Sequence, residues 1–175
     1  MYDNILYPTD GSDGANAAME HAVGLATSYD ATLHVLFVID SEHIESGMIP
    51  RKEDSERGRV TGMMKRDDKT AGKGSMSRNE DLGQRLERRG VHLTQEVAAL
   101  LAEEGCETTT AVKEGDPAQI ITEYAADNEI DLITMGTHGR RGIKRRLIGS
   151  VTENVVRTSE VPVLTVRLDD AAPQR

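Results

Sequence analysis

Short runs that are apolar almost without interruption alternate along this chain with segments whose apolar residues return at helical spacing. The runs are Ile5-Leu6-Tyr7, Thr32 to Ile39, Ile130 to Met135 and Val161 to Val166, and the segment Thr108 to Val112 is a plausible strand between the second and third of them. Strands covered on both faces read this way, whereas a half-exposed strand alternates. The first helical spacing takes in Ala15, Ala18, Met19, Ala22, Ala26 and Tyr29, a face of mostly small side chains able to lie close to a sheet. The second uses Leu93, Val97, Leu100 and Leu101 and stops at Gly105. The third opens on Asp116-Pro117-Ala118-Gln119, with an acidic cap, a proline at the first helical position and a glutamine where a capping box wants it. Ile120, Ile121, Tyr124 and Ala125 form its buried stripe, and a fourth helix follows Gly149-Ser150 with Val151, Val155 and Val156. This order predicts an α/β fold: an open, mostly parallel sheet of five strands, helices on both faces and right-handed crossovers.

A chain of 175 residues that is 37% hydrophobic supports one core rather than two. We expect one domain over 1–168 and a polar tail at 169–175. The formal charge of -9 argues against nucleic acid as a partner. The one cysteine, Cys106, cannot form an internal disulfide and reads as a buried structural thiol in a reducing, cytoplasmic setting. No basic segment leads into an apolar stretch at the start, and no apolar run is long enough to span a membrane.

From Asp40 the periodicity fails. The stretch 51–90 carries twelve basic and eight acidic side chains, so it has little to bury. A charged insertion near 41–80 is therefore expected, its middle from Lys65 to Arg78 a mobile loop. Covering an anion, standing free in solvent and meeting a partner protein are all uses open to it.

In open parallel sheets, ligands bind beyond the carboxyl ends of strands where the strand order reverses. Two loops suit such a place. One is Pro8-Thr9-Asp10-Gly11-Ser12; the other begins Gly136-Thr137-His138-Gly139 and, nine residues later, reaches Gly149-Ser150. Glycines let phosphate oxygens approach the backbone, and the amides of a helix starting near Gly149 to Thr152 can donate to an anion. The hydroxyls of Ser150 and Thr152 can add to them, and Arg140, Arg141, Lys144, Arg145 and Arg146 make the loop strongly positive. The loop is neither a Walker A motif nor a dinucleotide fingerprint. Ser150-Val151-Thr152-Glu153 reads equally as a capping box that needs no ligand, and Asp10 equally as an Asx-turn residue. The histidines at 21, 34, 43, 92 and 138 have no metal-ligand spacing, and His21 and His34 are expected to be structural.

Taken together, Ile5 to Ser12, Gly115-Asp116-Pro117, Asp131 to Gly139, Gly149 to Val155 and Val161 to Val166 resemble the universal stress protein family over nearly the whole chain. The resemblance implies strand order 3-2-1-4-5. Gly136, Gly139, Gly149 and Ser150 match the pattern of the ATP-binding branch: glycine, two residues, glycine, nine residues, glycine and serine or threonine. It implies that Pro8, Thr9 and Asp10 flank the ribose or adenine, and that Val38 meets adenine through its backbone. Met135 and Gly136 would line the nucleoside, while Gly139, Gly149, Ser150, Val151 and Thr152 wrap the phosphates and His138 faces the same loop. It further implies a homodimer in which Val163 to Val166, within about 162–167, pair across a two-fold axis. The function expected is an ATP-binding stress or signalling module in which the nucleotide, with Mg²⁺ able to arrive bound to it, controls shape or partner choice. A slow Mg-dependent ATPase and a nucleotide-independent chaperone or scaffold are the alternatives.

Overall fold

The computed structural model describes residues 2–41, 74–139 and 148–168, with 74–80 described by their backbone alone. In chain order the elements are β1 (Asn4–Pro8), α1 (Asp13–Tyr29), β2 (Thr32–Asp40), α2 (Gly74–Glu103), β3 (Thr108–Gly115), α3 (Pro117–Asp127), β4 (Leu132–Gly136), α4 (Ser150–Thr158) and β5 (Val163–Val166). All five strands are parallel and stand in the order β3-β2-β1-β4-β5. β1 is therefore central: Leu6 faces His34 on one side and Ile133 on the other. The chain winds outward through β2 and β3, then returns to the opposite side of β1 with β4. That reversal opens a crevice at the carboxyl ends of β1 and β4.

The three inner strands β1, β2 and β4 are buried on both faces, whereas the edge strands β3 and β5 stay partly exposed. Ile5, Tyr7, Leu33, Val35 and Leu132 pack beneath α1 and α2, where Ala18, Ala22, Ala26, Val97 and Leu101 meet them. Leu6, Leu36, Ile133 and Met135 face the other way, against Ala118, Ile121, Tyr124 and Ala125 of α3 and Val155 of α4. The small-residue face of α1 is buried at Ala15, Ala18, Ala22 and Ala26, while Tyr29 stays exposed and meets the Tyr2 ring edge-on. Cys106 is buried, its sulfur 3.3 Å from the Thr27 hydroxyl. Among the described residues no helix is long and apolar enough to cross a membrane.

Three local expectations need correction. The helix before Gly105 begins at Gly74, so the last residues of the expected loop, from Gly74 to Arg78, are helical; the rest of the charged insertion, 42–73, lies outside the described residues. Its early turns are held by a narrow stripe, Leu82 buried and Leu86 against Phe37 and Ile39, within a strongly charged run. Leu100, one of the residues that set the helical spacing, is 54% exposed, while its neighbour Leu101 takes the core position. The box at α3 forms by half: Asp116 Oδ1 accepts from the Gln119 amide at 2.9 Å, but the Gln119 side chain donates along the helix to Glu123.

His34 is structural, as its place in a strand suggested. Asn4 Nδ2 donates to the Glu129 carbonyl, which turns Asn4 Oδ1 toward His34 Nε2 at 3.3 Å. The proton therefore sits on Nε2, and Nδ1 accepts from the Tyr124 hydroxyl at 3.0 Å. Burial holds this imidazole below the ordinary histidine range. The unfolded chain, titrating near about 6.5, binds the proton first as pH falls. This contribution to stability is thus complete above about pH 6.5 and is lost as pH drops toward the depressed folded value. Urea midpoints should fall between about pH 7 and about pH 5, and less so in His34→Gln. Equal slopes in the two proteins would contradict the assignment.

Candidate functional site

The β1–α1 loop begins where Thr9 leaves β1, its amide still bonded to the Leu36 carbonyl at 2.8 Å. Asp10 then folds over: its Oδ1 accepts from the Ser12 amide at 3.0 Å, the Asx turn that the sequence allowed. Ser12 caps α1, accepting from the Ala15 amide at 3.3 Å. Pro8 and Thr9 are buried and Asp10 is half-buried.

The β4–α4 loop lies directly beside it. Gly136 is the last residue of β4, and a Cβ there would collide with the backbone of Gly14 and Ala15. Gly14 in turn has no room for a Cβ, because the His138 carbonyl sits against it. These two glycines let the first turn of α1 rest on the loop, so Gly136 serves helix–strand packing. Gly139 faces the other loop: a Cβ on it would stand 3.1 Å from Asp10 Oδ2. The sheet thus brings Asp10 and Gly139 together from opposite parts of the chain.

At the start of α4 the structure departs from the sequence reading. Gly149, and not Ser150, is the N-cap, with φ -66° and ψ 151°, and it makes no side-chain capping bond. The cause is long-range: the Gly149 amide bonds the Thr137 carbonyl at 2.8 Å, and the Gly149 carbonyl accepts from the Glu153 amide at 2.9 Å. Ser150 therefore enters the first helical turn, exposed, and the capping box does not form. The Thr152 hydroxyl, expected among the phosphate donors, is 3% exposed and donates to the Gly136 carbonyl at 2.8 Å. What remains are the amides of Ser150, Val151 and Thr152, which precede any helical carbonyl able to accept from them. They carry the positive end of the helix dipole and suit an anion.

Met135 is buried beneath this crevice and Val38 is half-buried at the end of β2, both in the cluster that faces α3 and α4. His138 Nδ1 lies 2.9 Å from the Thr137 hydroxyl, and its buried Nε2 has no hydrogen-bond partner among the described residues. The five basic residues from Arg140 to Arg146 lie outside the described residues. Sequence reasoning missed Gly14, Thr137 and Tyr7 as builders of the site. Gly14 could have been found, since it extends the run of small residues along α1. Thr137 acts through its carbonyl, which no side-chain pattern reveals.

A family model described as the universal stress protein family matches residues 1–167. MJ0577 of Methanocaldococcus jannaschii, a universal stress protein, is 32% identical over 168 residues, covering 95% of this chain and 96% of its own. The solved structure of MJ0577 superposes with a TM-score of 0.76 at 28% identity, over 98% of this chain and 99% of that one. Universal stress protein UspA from Lactobacillus plantarum gives 0.72 at 26% identity, over 95% and 98%. With the parallel sheet in order β3-β2-β1-β4-β5 and the family model spanning nearly every residue, this chain belongs to the universal stress protein family.

Proposed function

We propose that this chain is a stress-response module that binds an adenine nucleotide, ATP foremost, in the crevice between β1 and β4. The observation that carries the reading is one junction: the amides of Ser150, Val151 and Thr152, which have no helical carbonyl to bond, open beside a loop whose Gly139 lies close enough to Asp10 that a Cβ would stand 3.1 Å from its carboxylate. An anion held by those amides lies within a short reach of a carboxylate able to accept from ribose hydroxyls. Val38 and Met135 supply apolar surface for a base, Pro8 leads into the loop, and Thr9 Oγ1 accepts from the Gly11 amide beside the Asp10 turn. Gly149 sets the start of α4, and His138 Nε2, which has no partner among the described residues, is a candidate contact on the same loop. Mg²⁺ would ride on the triphosphate, completing its shell mostly with phosphate and water oxygens.

Solved proteins of this fold hold such ligands: one universal stress protein is in complex with cAMP, and one from Arabidopsis thaliana has AMP bound. They are 20% and 18% identical to this chain, so they speak for the fold alone. In our reading the nucleotide governs shape or partner choice in a cytoplasmic homodimer. The two sheet edges favour β5 as the dimer seam. β3 carries exposed Lys113 and Glu114 along its edge, whereas β5 offers Val163, Leu164, Thr165 and Val166. Charged edges resist pairing and an apolar one invites it.

Native mass spectrometry of freshly purified protein tests both statements. A dimer carrying adenine nucleotide, or taking it up from added ATP, is expected. A nucleotide-free species that ignores ATP would overturn the binding reading, and a monomer would overturn the seam. Sustained phosphate release from Mg-ATP by the same sample would recast the protein as a slow ATPase.

A further inference from the structure

Tyr7 is fully buried in β1, directly before the first loop, and its phenol joins that loop to α1. Its Oη lies 3.0 Å from the Ala15 carbonyl and 3.3 Å from Thr9 Oγ1. Thr9 Oγ1 in turn accepts from the Gly11 amide at 3.2 Å. A phenol has one proton, and a carbonyl can only accept. The shorter bond takes that proton, so the remaining one runs from the Thr9 hydroxyl to Tyr7. The result is a continuous relay from the Gly11 amide through Thr9 and Tyr7 to the first turn of α1. It encloses Asp10, whose own turn is tied to Ser12 on the same stretch.

Burial pushes the Tyr7 phenol up to about 12, against a smaller opposing effect of the Thr9 hydrogen bond and with a small addition from the Asp10 charge. The phenol therefore keeps its proton and the relay holds its direction through the neutral range.

The geometry points to Tyr7 as a positioning residue for nucleotide binding: through Thr9 and Gly11 it holds the backbone that presents Asp10 to the crevice. This rests on the nucleotide reading above. A phenylalanine at position 7 would fill the same space and pack the same core, so packing alone does not call for the oxygen. Losing the relay leaves the loop to sample other positions, and that freedom is lost again on binding.

Calorimetric titration of the full chain with Mg-ATP, well below the melting temperature, tests the inference. Tyr7→Phe and Thr9→Val should each weaken ATP roughly three- to tenfold, the range for losing one or two buried neutral hydrogen bonds. Thr9→Ser, which keeps the oxygen, should stay within about twofold of wild type. Because one relay is broken in either case, the double variant should be little weaker than the worse single one. Unchanged ATP affinity in Tyr7→Phe, with only a lower melting temperature, overturns the positioning role. So does a double variant whose loss is the product of the two. A wild-type protein that binds no ATP defeats the parent reading and this one with it. ATP bound equally well by wild type and Tyr7→Phe defeats only this one.

Discussion

Replacing Gly136 by alanine should destabilise the fold by about 3 kcal/mol, the upper part of the range for overfilling a packed site. The added Cβ would meet the Gly14 carbonyl and the Ala15 amide nitrogen. These are backbone atoms in the first turn of a 17-residue helix, so no rotamer change can relieve the contact. Either α1 lifts from β4 or β4 shifts in the sheet, and each disturbs the core under Ala18 and Ala22. For a chain of this size the loss corresponds to a melting temperature lower by roughly 10 °C. Gly24→Ala is the matched control. Gly24 lies inside α1, and a Cβ there meets nothing within 4 Å. That change should stabilise by about 0.5–1 kcal/mol through helix propensity. Melting curves showing the two variants alike would mean that the α1–β4 approach is looser than described.

The second large effect separates binding from folding. Ser150 is exposed in the first turn of α4 and is not its N-cap. An aspartate there faces the positive end of the helix dipole, so Ser150→Asp should leave stability unchanged or raise it by about 0.5 kcal/mol. The same carboxylate would stand where the phosphates are proposed to bind. Two like charges about 4 Å apart repel by about 4 kcal/mol at the effective dielectric of a protein surface. ATP affinity should therefore fall by a hundredfold or more, since each 1.4 kcal/mol is about tenfold. Titration calorimetry and melting curves on one preparation read both quantities. Full ATP affinity in Ser150→Asp would remove the phosphates from α4.

How far the sequence foretold this arrangement depends on the range of the forces involved. The inner strands were legible because burial on both faces leaves near-continuous apolar runs, as from Val35 to Ile39. The cap at Asp116 was legible because its bond to Gln119 spans three residues. The cap of α4 was misread because a contact twelve positions away decides it, the Gly149 amide on the Thr137 carbonyl. The Thr152 hydroxyl was misread for the same reason: it turns inward to Gly136, sixteen residues earlier. Gly136 fitted a phosphate motif, yet its missing Cβ also admits Gly14, a neighbour set only by the return of α1 across the sheet. The early turns of α2 were lost because a stripe of Leu82 and Leu86 is thin against the charge around it. The pairing of the two loops was expected from the strand reversal, but the close approach of the Asp10 carboxylate to Gly139 emerges only from the fold.

The central claim is that anion-seeking amides at the head of α4 and the Asp10 turn serve a single ligand. A crystal structure of the protein grown with saturating Mg-ATP tests it most directly. The account predicts phosphate density within hydrogen-bond reach of the Ser150, Val151 and Thr152 amides, with the adenosine running past Asp10 toward Val38. Ordered solvent alone in that crevice, or a nucleotide bound elsewhere on the molecule, would contradict it.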